Sequence, residues 1–225
     1  MNDENAKDQV TTVVKKHEKD RNEFSFRGLI IDEKSYSSIS FITMMLVSKN
    51  GNKTFVNHPS IMIFDKKLVE KVDEIGLRVP VVVSGYITSR KEEAQSNIEK
   101  DGEKPQERGP HYRRTQSFVL TDIRRAEEAD EKENENKITI VGTVNDTFVS
   151  RNHVVNLVVV SFRDGHYLKS INVKGFPKKD INYLDFMAAG TRVRIEGHCS
   201  TYDQRIEDGF SRTIETIVVD TIEHA

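Results

Sequence analysis

Glu23-Phe-Ser-Phe-Arg-Gly28-Leu-Ile, at residues 23–30, has a counterpart in Lys137-Ile-Thr-Ile-Val-Gly142-Thr-Val, at residues 137–144. Both stretches alternate apolar and polar residues, and a glycine occupies the same place in each. Alternation with a period of two is typical of a half-buried strand, because successive side chains point to opposite faces of a sheet. A glycine inside such a strand favours a bend or bulge of the kind that closes a barrel. The chain is therefore predicted to contain two copies of one β module.

Further blocks of sequence repeat in the same order and at nearly the same spacing. An internal repeat of this kind indicates a duplicated structural unit. The matching blocks are Phe64-Asp-Lys-Lys67 with Phe176-Pro-Lys-Lys179, Val81-Val-Val-Ser-Gly85-Tyr with Val193-Arg-Ile-Glu-Gly197-His, and Arg114-Thr115 with Arg212-Thr213.

The distribution of charge predicts where the two copies separate. The chain has a net charge of −2, but residues 126–136 (AEEADEKENEN) hold six acids and one lysine, so the remainder is mildly basic. An acidic polar run of this composition is typical of a solvated linker. The predicted domains are a charged N-terminal segment at 1–22, domain 1 at 23–125 with a long polar loop at 87–113, the acidic linker at 126–136, and domain 2 at 137–225.

Each copy has the same predicted order of elements, in which a short helix separates three strands from two more. Asn50-Gly51 and Asp164-Gly165 predict a hairpin after the second strand of each copy. Leu68, Val69, Val72 and Ile75 predict the apolar helix face in the first copy, and Ile181, Leu184 and Met187 predict it in the second. The predicted fold class is mainly all-β, with two tandem five-stranded Greek-key barrels of the oligonucleotide-binding (OB) fold, each with a short helix between strands 3 and 4.

Three stretches of the second copy form an ordered set: the opening Asn136-Lys-Ile-Thr-Ile-Val-Gly142, then Gly190-Thr-Arg-Val-Arg-Ile-Glu-Gly197, and then Arg212-Thr-Ile-Glu-Thr-Ile-Val-Val219. In these stretches the second copy resembles the single-stranded DNA-binding proteins of bacteria, phages and plasmids. It implies a protein that coats single-stranded DNA during replication, recombination or repair. Because family members with one barrel per chain assemble four barrels, it also implies a homodimer of this chain, with replication or recombination proteins as further partners.

Composition and motifs give no indication of catalysis. One cysteine, Cys199, excludes a disulfide framework, and no apolar run approaches the roughly 18 residues of a membrane span, so we expect a cytoplasmic protein without membrane contact. The seven histidines lack paired-ligand spacing, and no phosphate-cradling or nucleophile-elbow motif occurs. We expect no enzyme activity, no metal and no cofactor.

A protein that binds single strands needs flat rings for exposed bases and cations along the phosphate path. Core packing explains Phe55, Tyr167 and Phe64 equally well, whereas polar neighbours favour exposure of Tyr86, Tyr112 and Tyr202. The candidate stacking residues are Tyr36, Phe55, Phe64, Tyr86, Tyr112, Tyr167, Phe176, Tyr202 and Phe210. The candidate phosphate contacts are Lys49, Lys53, Arg90, Arg113, Arg114, Arg163, Lys169, Lys174, Arg205 and Arg212.

Two other functions fit the same sequence. A net charge near zero and the absence of tryptophan favour an OB-fold module that docks a protein partner in a replication or conjugation complex. Binding of single-stranded RNA uses the same stacking physics as binding of DNA, and the sequence does not separate the two.

Overall fold

The computed structural model describes residues 18–50, 52–93, 112–127, 136–150, 152–163, 167–205 and 211–225. For residues 49–50, 91–93, 112–114, 162–163 and 167–169 the description covers the backbone alone. Within these ranges the chain forms one eleven-stranded sheet that curls into two barrels.

The first barrel contains six strands and one α-helix. Strand β1 is paired with β2 on one side and with β5 on the other, and parallel pairing of β4 with β6 closes the ring β1-β2-β4-β6-β5. Strand β3 forms a hairpin with β2, and Pro59 lies in the break between β3 and β4. The elements are β1 (Arg21–Ser35), β2 (Ser40–Asn50), β3 (Lys53–Asn57), β4 (Ser60–Ile63), α1 (Lys66–Ile75), β5 (Pro80–Glu93) and β6 (Tyr112–Arg125).

The second barrel repeats this topology in the ring β7-β8-β9-β11-β10, which is again closed by one parallel pairing, between β9 and β11. Its strands are β7 (Asn136–Val149), β8 (Val155–Arg163), β9 (Tyr167–Gly175), β10 (Arg192–Arg205) and β11 (Ser211–His224). Five strands in this order, with the third counted across its break in the first copy, form the OB fold. The predicted fold class is confirmed.

Glycines at matching places allow each barrel to curl tightly. The strand register shifts between Ser84 and Gly85 in the first barrel and between Glu196 and Gly197 in the second. A Cβ atom at Gly85 would lie 1.8 Å from the Val119 carbonyl oxygen, and one at Gly197 would lie 2.4 Å from the carbonyl oxygen of the strand opposite. These two positions therefore accept only glycine without a shift of the backbone.

The two predicted helices differ in form. In α1 the Asp65 side chain accepts a hydrogen bond from the Lys67 amide and caps the helix, and Val72 is buried against the barrel. In the second copy Pro177 stands at the place of Asp65, and proline offers no side-chain acceptor. Here the chain forms a four-residue 3₁₀ turn, Tyr183–Phe186, which follows Asn182 and has no side-chain cap. Leu184, which we predicted on the apolar face, is 76% exposed, so that prediction was wrong.

Several strands extend beyond the boundaries that the sequence predicted. Strand β1 begins at Arg21, inside the segment assigned to the charged N-terminus, and β7 begins at Asn136, inside the predicted linker. Strands β5 and β6 stay paired as far as the partners Glu93 and Tyr112, both of which lie in the predicted loop at 87–113. Cross-strand pairing extends these polar segments, and polar residues on a solvated ribbon lack the alternation by which strands are recognised. The division into domains stays a prediction.

The two barrels are joined edge to edge by antiparallel pairing of β1 with β7. Phe24 pairs with Ile138, which is its own counterpart in the repeat, so a pseudo-twofold axis passes between them. Asn22 and Asn136 are related by the same axis, and both are 4% exposed. Each amide group accepts from the backbone N–H and donates to the backbone C=O of one residue, Ile87 for Asn22 and Cys199 for Asn136. These buried bonds fix β1 against β5 and β7 against β10 at the joint.

Candidate nucleic-acid interface

Most of the predicted stacking residues whose side chains are described are exposed. Tyr36 lies between β1 and β2, and Phe64 and Phe176 directly follow β4 and β9. Phe55 and Phe64, which core packing explained equally well, are exposed rings. The exposed group, at 43–64% of each side chain, is Tyr36, Phe55, Phe64, Phe176 and Tyr202.

Tyr86 differs from its prediction because it is half-buried within β5, where it pairs with Val119. The side chains of Tyr112 and Tyr167 belong to strands of which only the backbone is described, and Phe210 lies outside the described residues. Their roles stay predictions.

The candidate phosphate contacts are divided in the same way. Lys53, Arg90, Arg205 and Arg212 are exposed, and Lys174 is half-buried. The side chains of Lys49, Arg113, Arg114, Arg163 and Lys169 lie outside the described part of the chain.

One predicted ring and one predicted cation come together on the second barrel. The Lys174 ammonium lies 5.8 Å from the centre of the Tyr202 ring, within the range of a cation–π contact. Strand β3 of the first barrel lies beside this pair, because the Asn57 side chain accepts from the Thr201 amide at 2.9 Å and the Thr201 hydroxyl accepts from the His58 amide at 2.8 Å. Tyr202 is therefore held where the two barrels meet.

A groove of about 500 Å³ runs between the barrels, and we refer to it as the inter-barrel groove. Strand pairing makes Phe41 equivalent to Asn156, and Met62 equivalent to Lys174. At both of these positions the first barrel places an apolar side chain in the groove, and the second places a polar or cationic one. Further residues that line it are Gln116, Phe148, Arg212 and Glu215.

Sequence reasoning found Lys174 and Arg212 but missed the groove's rings. Phe148 has Lys34 at its equivalent position, and Phe41 has Asn156 at its own. Neither ring recurs in the other copy, so the repeat gives no signal for them. The edge-to-face contact between Tyr36 and Phe41, with ring centres 5.9 Å apart, connects one predicted ring to the groove wall.

Two equivalent side chains bridge the barrels at the floor of this groove. Gln116 of β6 donates its amide N–H to the Asn172 carbonyl at 3.0 Å and accepts from the Asn172 amide at 2.6 Å. Glu215 of β11 accepts from the Ser60 amide at 2.7 Å. Each side chain thus holds the backbone of the other barrel's third strand.

Burial at this position raises the pKa of Glu215 from 4.5 to about 7, although the hydrogen bond from Ser60 opposes the rise. The same burial acts on Cys199, where desolvation first and the charge of Glu215 second raise the pKa of the thiol well above its usual value. Cys199 is fully buried in the barrel, and this burial favours the thiol over the thiolate.

A second cleft, of about 690 Å³, lies at the β1–β7 joint, but its charges are paired. Arg194 contacts Glu18 at 2.7 Å and Glu196 at 2.8 Å, and Lys137 contacts Glu196 at 3.4 Å. Cations that already have carboxylate partners offer less to a phosphate than Lys174 and Arg212 do. The inter-barrel groove is the better candidate interface.

Two negative findings apply to the residues that the structure describes. Among them, no group of three or more histidine, cysteine, aspartate or glutamate side chains is placed to hold a metal ion. None of the helices formed by these residues has both the length and the apolar character needed to cross a membrane.

The fold has counterparts among solved structures, although no family model and no curated protein matches the sequence. The wild-type single-stranded DNA-binding protein of Thermus aquaticus superposes with a TM-score of 0.61 at 12% identity, over 92% of this chain and 94% of that chain. A deletion mutant of the same protein gives the same TM-score and identity over 95% of its chain. The match extends across both barrels, so the predicted resemblance to single-stranded DNA-binding proteins is confirmed at the level of the fold.

Proposed function

We propose that this protein binds and coats single-stranded DNA with little sequence specificity, by stacking bases on exposed rings and pairing phosphates with lysine and arginine. The observation that carries the proposal is the inter-barrel groove, whose lining brings the rings Phe41 and Phe148 together with the cations Lys174 and Arg212. Such a groove provides apolar surfaces for bases and cations for the backbone.

The exposed rings favour binding of a single strand over binding of a duplex. Each base–aromatic stack is worth about 1–3 kcal/mol, but bases in a duplex already stack on one another and are closed to a protein ring. Tyr202 offers an exposed face next to the groove, and Lys174 is close enough to contact the phosphate of a base stacked there.

Finer features of the function belong to the same proposal. We place the protein in the cytoplasm, in replication, recombination or repair, without enzyme activity, as a homodimer that presents four barrels. Replication or recombination proteins are its further proposed partners. The mass of the protein in solution distinguishes the dimer from a monomer of 25.8 kDa.

A titration with oligo-dT tests the proposal. We expect tyrosine fluorescence to be quenched, the affinity to fall as salt rises because phosphate contacts release counterions, and duplex DNA of equal length to bind more weakly. An oligo-rU titration run in parallel decides between DNA and RNA. Absence of oligo-dT binding at low salt would refute the proposal.

Replacing the best-placed ring gives a sharper test. We expect Tyr202→Ala to weaken oligo-dT binding about tenfold, since one stack is worth about 1–3 kcal/mol, with little change in the melting temperature because the ring is half exposed. Leu184→Ala, an exposed apolar residue on the 3₁₀ turn, is the matched control and should bind as the unaltered protein does. Equal affinity of both variants would remove Tyr202 from the interface.

Docking of a protein partner remains the second candidate function. The observation that favours it is a set of exposed aliphatic residues that stacking does not use, namely Val56, Leu77, Val149 and Leu184. Failure of oligo-dT and oligo-rU to bind would favour this function.

A further inference from the structure

Gln116 and Glu215 occupy equivalent positions in the two barrels. Phe118 pairs with Ile61 in the parallel β4–β6 contact, and Ile217 pairs with Val173 in the parallel β9–β11 contact. Gln116 and Glu215 each lie two residues before those pairs, so each occupies the same point at the mouth of its own barrel.

The two side chains bridge the barrels with different hydrogen bonds. The Gln116 amide both donates to and accepts from the backbone of Asn172. Glu215 accepts from the backbone of Ser60, the residue equivalent to Asn172. A protonated carboxyl group has one O–H donor and one carbonyl acceptor, so neutral Glu215 has the same hydrogen-bonding capacity that Gln116 uses. The neutral acid is therefore the form of Glu215 that matches the Gln116 amide in donors and acceptors, and the bond from Ser60 uses its acceptor.

An ionised Glu215 would also repel the negative charge of a phosphate bound in the groove. Among the described residues that line the inter-barrel groove, Glu215 is the only acid, and Lys174 and Arg212 are the cations. A phosphate drawn in by those cations approaches a carboxylate in a region sheltered from water, where repulsion between like charges is strong.

We propose that Glu215 takes up a proton when a single-stranded nucleic-acid backbone occupies the inter-barrel groove, so that the affinity of this groove is controlled by pH. The proposal rests on the proposed function, because it assigns a phosphodiester chain to the groove. A phosphate beside Glu215 favours the neutral carboxyl, and by linkage a neutral carboxyl favours the phosphate. The affinity should change with pH near neutrality, since burial brings the pKa of Glu215 to about 7 even in the free protein.

Other titratable groups lie on the strands around Glu215. Lys174 on β9 and Arg212 on β11 are cations that line the same groove, and Cys199 on β10 is a thiol whose pKa is raised by burial and by Glu215. Tyr202, also on β10, contacts Lys174. His58 lies beyond Thr201, to which its amide is bonded and which pairs with Glu215. Gln116 and Ser60, from β6 and β4, carry no charge. Comparison with the variant His58→Gln distinguishes any pH dependence that is due to the His58 imidazole from the pH dependence that is due to the Glu215 carboxyl.

The experiment measures oligo-dT affinity at constant salt between pH 6 and pH 8.5 for the unaltered protein and three variants. One linked proton changes affinity by at most tenfold per pH unit, so we expect the unaltered protein to lose roughly tenfold across this range. Glu215→Gln should lose almost none of its affinity and should bind more tightly than the unaltered protein at pH 8.5. Glu223→Gln, on the same strand but with a 70% exposed side chain, and His58→Gln should both retain the loss.

Calorimetry in two buffers of different ionisation enthalpy counts the protons directly. At pH 7.5 the unaltered protein should take up about half a proton more than Glu215→Gln does on binding oligo-dT. An identical pH dependence and proton count in the two proteins would overturn the inference while leaving the proposed function intact. If neither protein bound oligo-dT at any pH, the proposed function itself would fail.

Discussion

Replacing Glu215 with glutamine should stabilise the folded protein at alkaline pH and leave its stability unchanged in acid. In the unfolded chain the carboxyl ionises near its ordinary pKa of 4.5, whereas in the folded protein burial raises the pKa to about 7. Between these values the folded state holds more protons than the unfolded state, so stability falls as the pH rises from 4.5 to 7 and is constant above. At about 1.4 kcal/mol for each pH unit, the full loss is about 3 kcal/mol.

Glutamine cannot ionise and retains an oxygen that accepts from the Ser60 amide, so Glu215→Gln removes this loss. We expect the variant to unfold in urea with about 3 kcal/mol more free energy than the unaltered protein at pH 8, and with the same free energy at pH 4.5. The difference between the two proteins isolates Glu215 from every other titrating group. Glu223→Gln, which removes an exposed carboxylate from the same strand, should change stability little at either pH. A stability difference between Glu215→Gln and the unaltered protein that did not vary with pH would refute the reasoning.

Two further predictions concern the bulge at Gly85 and the joint between β1 and β7, and urea unfolding measures both. Gly85→Ala places a Cβ atom 1.8 Å from the Val119 carbonyl oxygen, so the backbone at the bulge must move, and we expect the free energy of unfolding to fall by about 2–3 kcal/mol. The neighbouring Ser84→Ala is the control and should lower it by under ~0.5 kcal/mol. Equal losses in the two variants would show that the bulge is not tightly packed. Asn22→Ala and Asn136→Ala each leave a buried N–H and C=O without their partner, which costs about 2–4 kcal/mol. Since the two asparagines are equivalent, the two losses should agree within about 1 kcal/mol, and a neutral effect of either would contradict its role at the joint.

The repeat determined most of the fold because its signals are local. Alternation around Gly28 and Gly142 identifies the first strand of each barrel, and Asn50-Gly51 predicts the hairpin that joins β2 to β3. Strand ends were harder to predict, since Asn22 and Asn136 are polar residues that only a partner strand buries. The second helix differs from its prediction: Pro177 stands at the place of the Asp65 cap, and the short turn that forms has no side-chain cap.

The sequence by itself could identify the kinds of residue a nucleic-acid interface needs, and it found Tyr202, Lys174 and Arg212. It could not bring Lys174 and Arg212 together with Phe41, because the groove is formed by strands of two barrels that are far apart in the chain. The state of Glu215 was likewise decided by the tertiary structure. A glutamate in an alternating strand is by itself an ordinary solvated acid, and only the packing of one barrel against the other removes its water and raises its pKa.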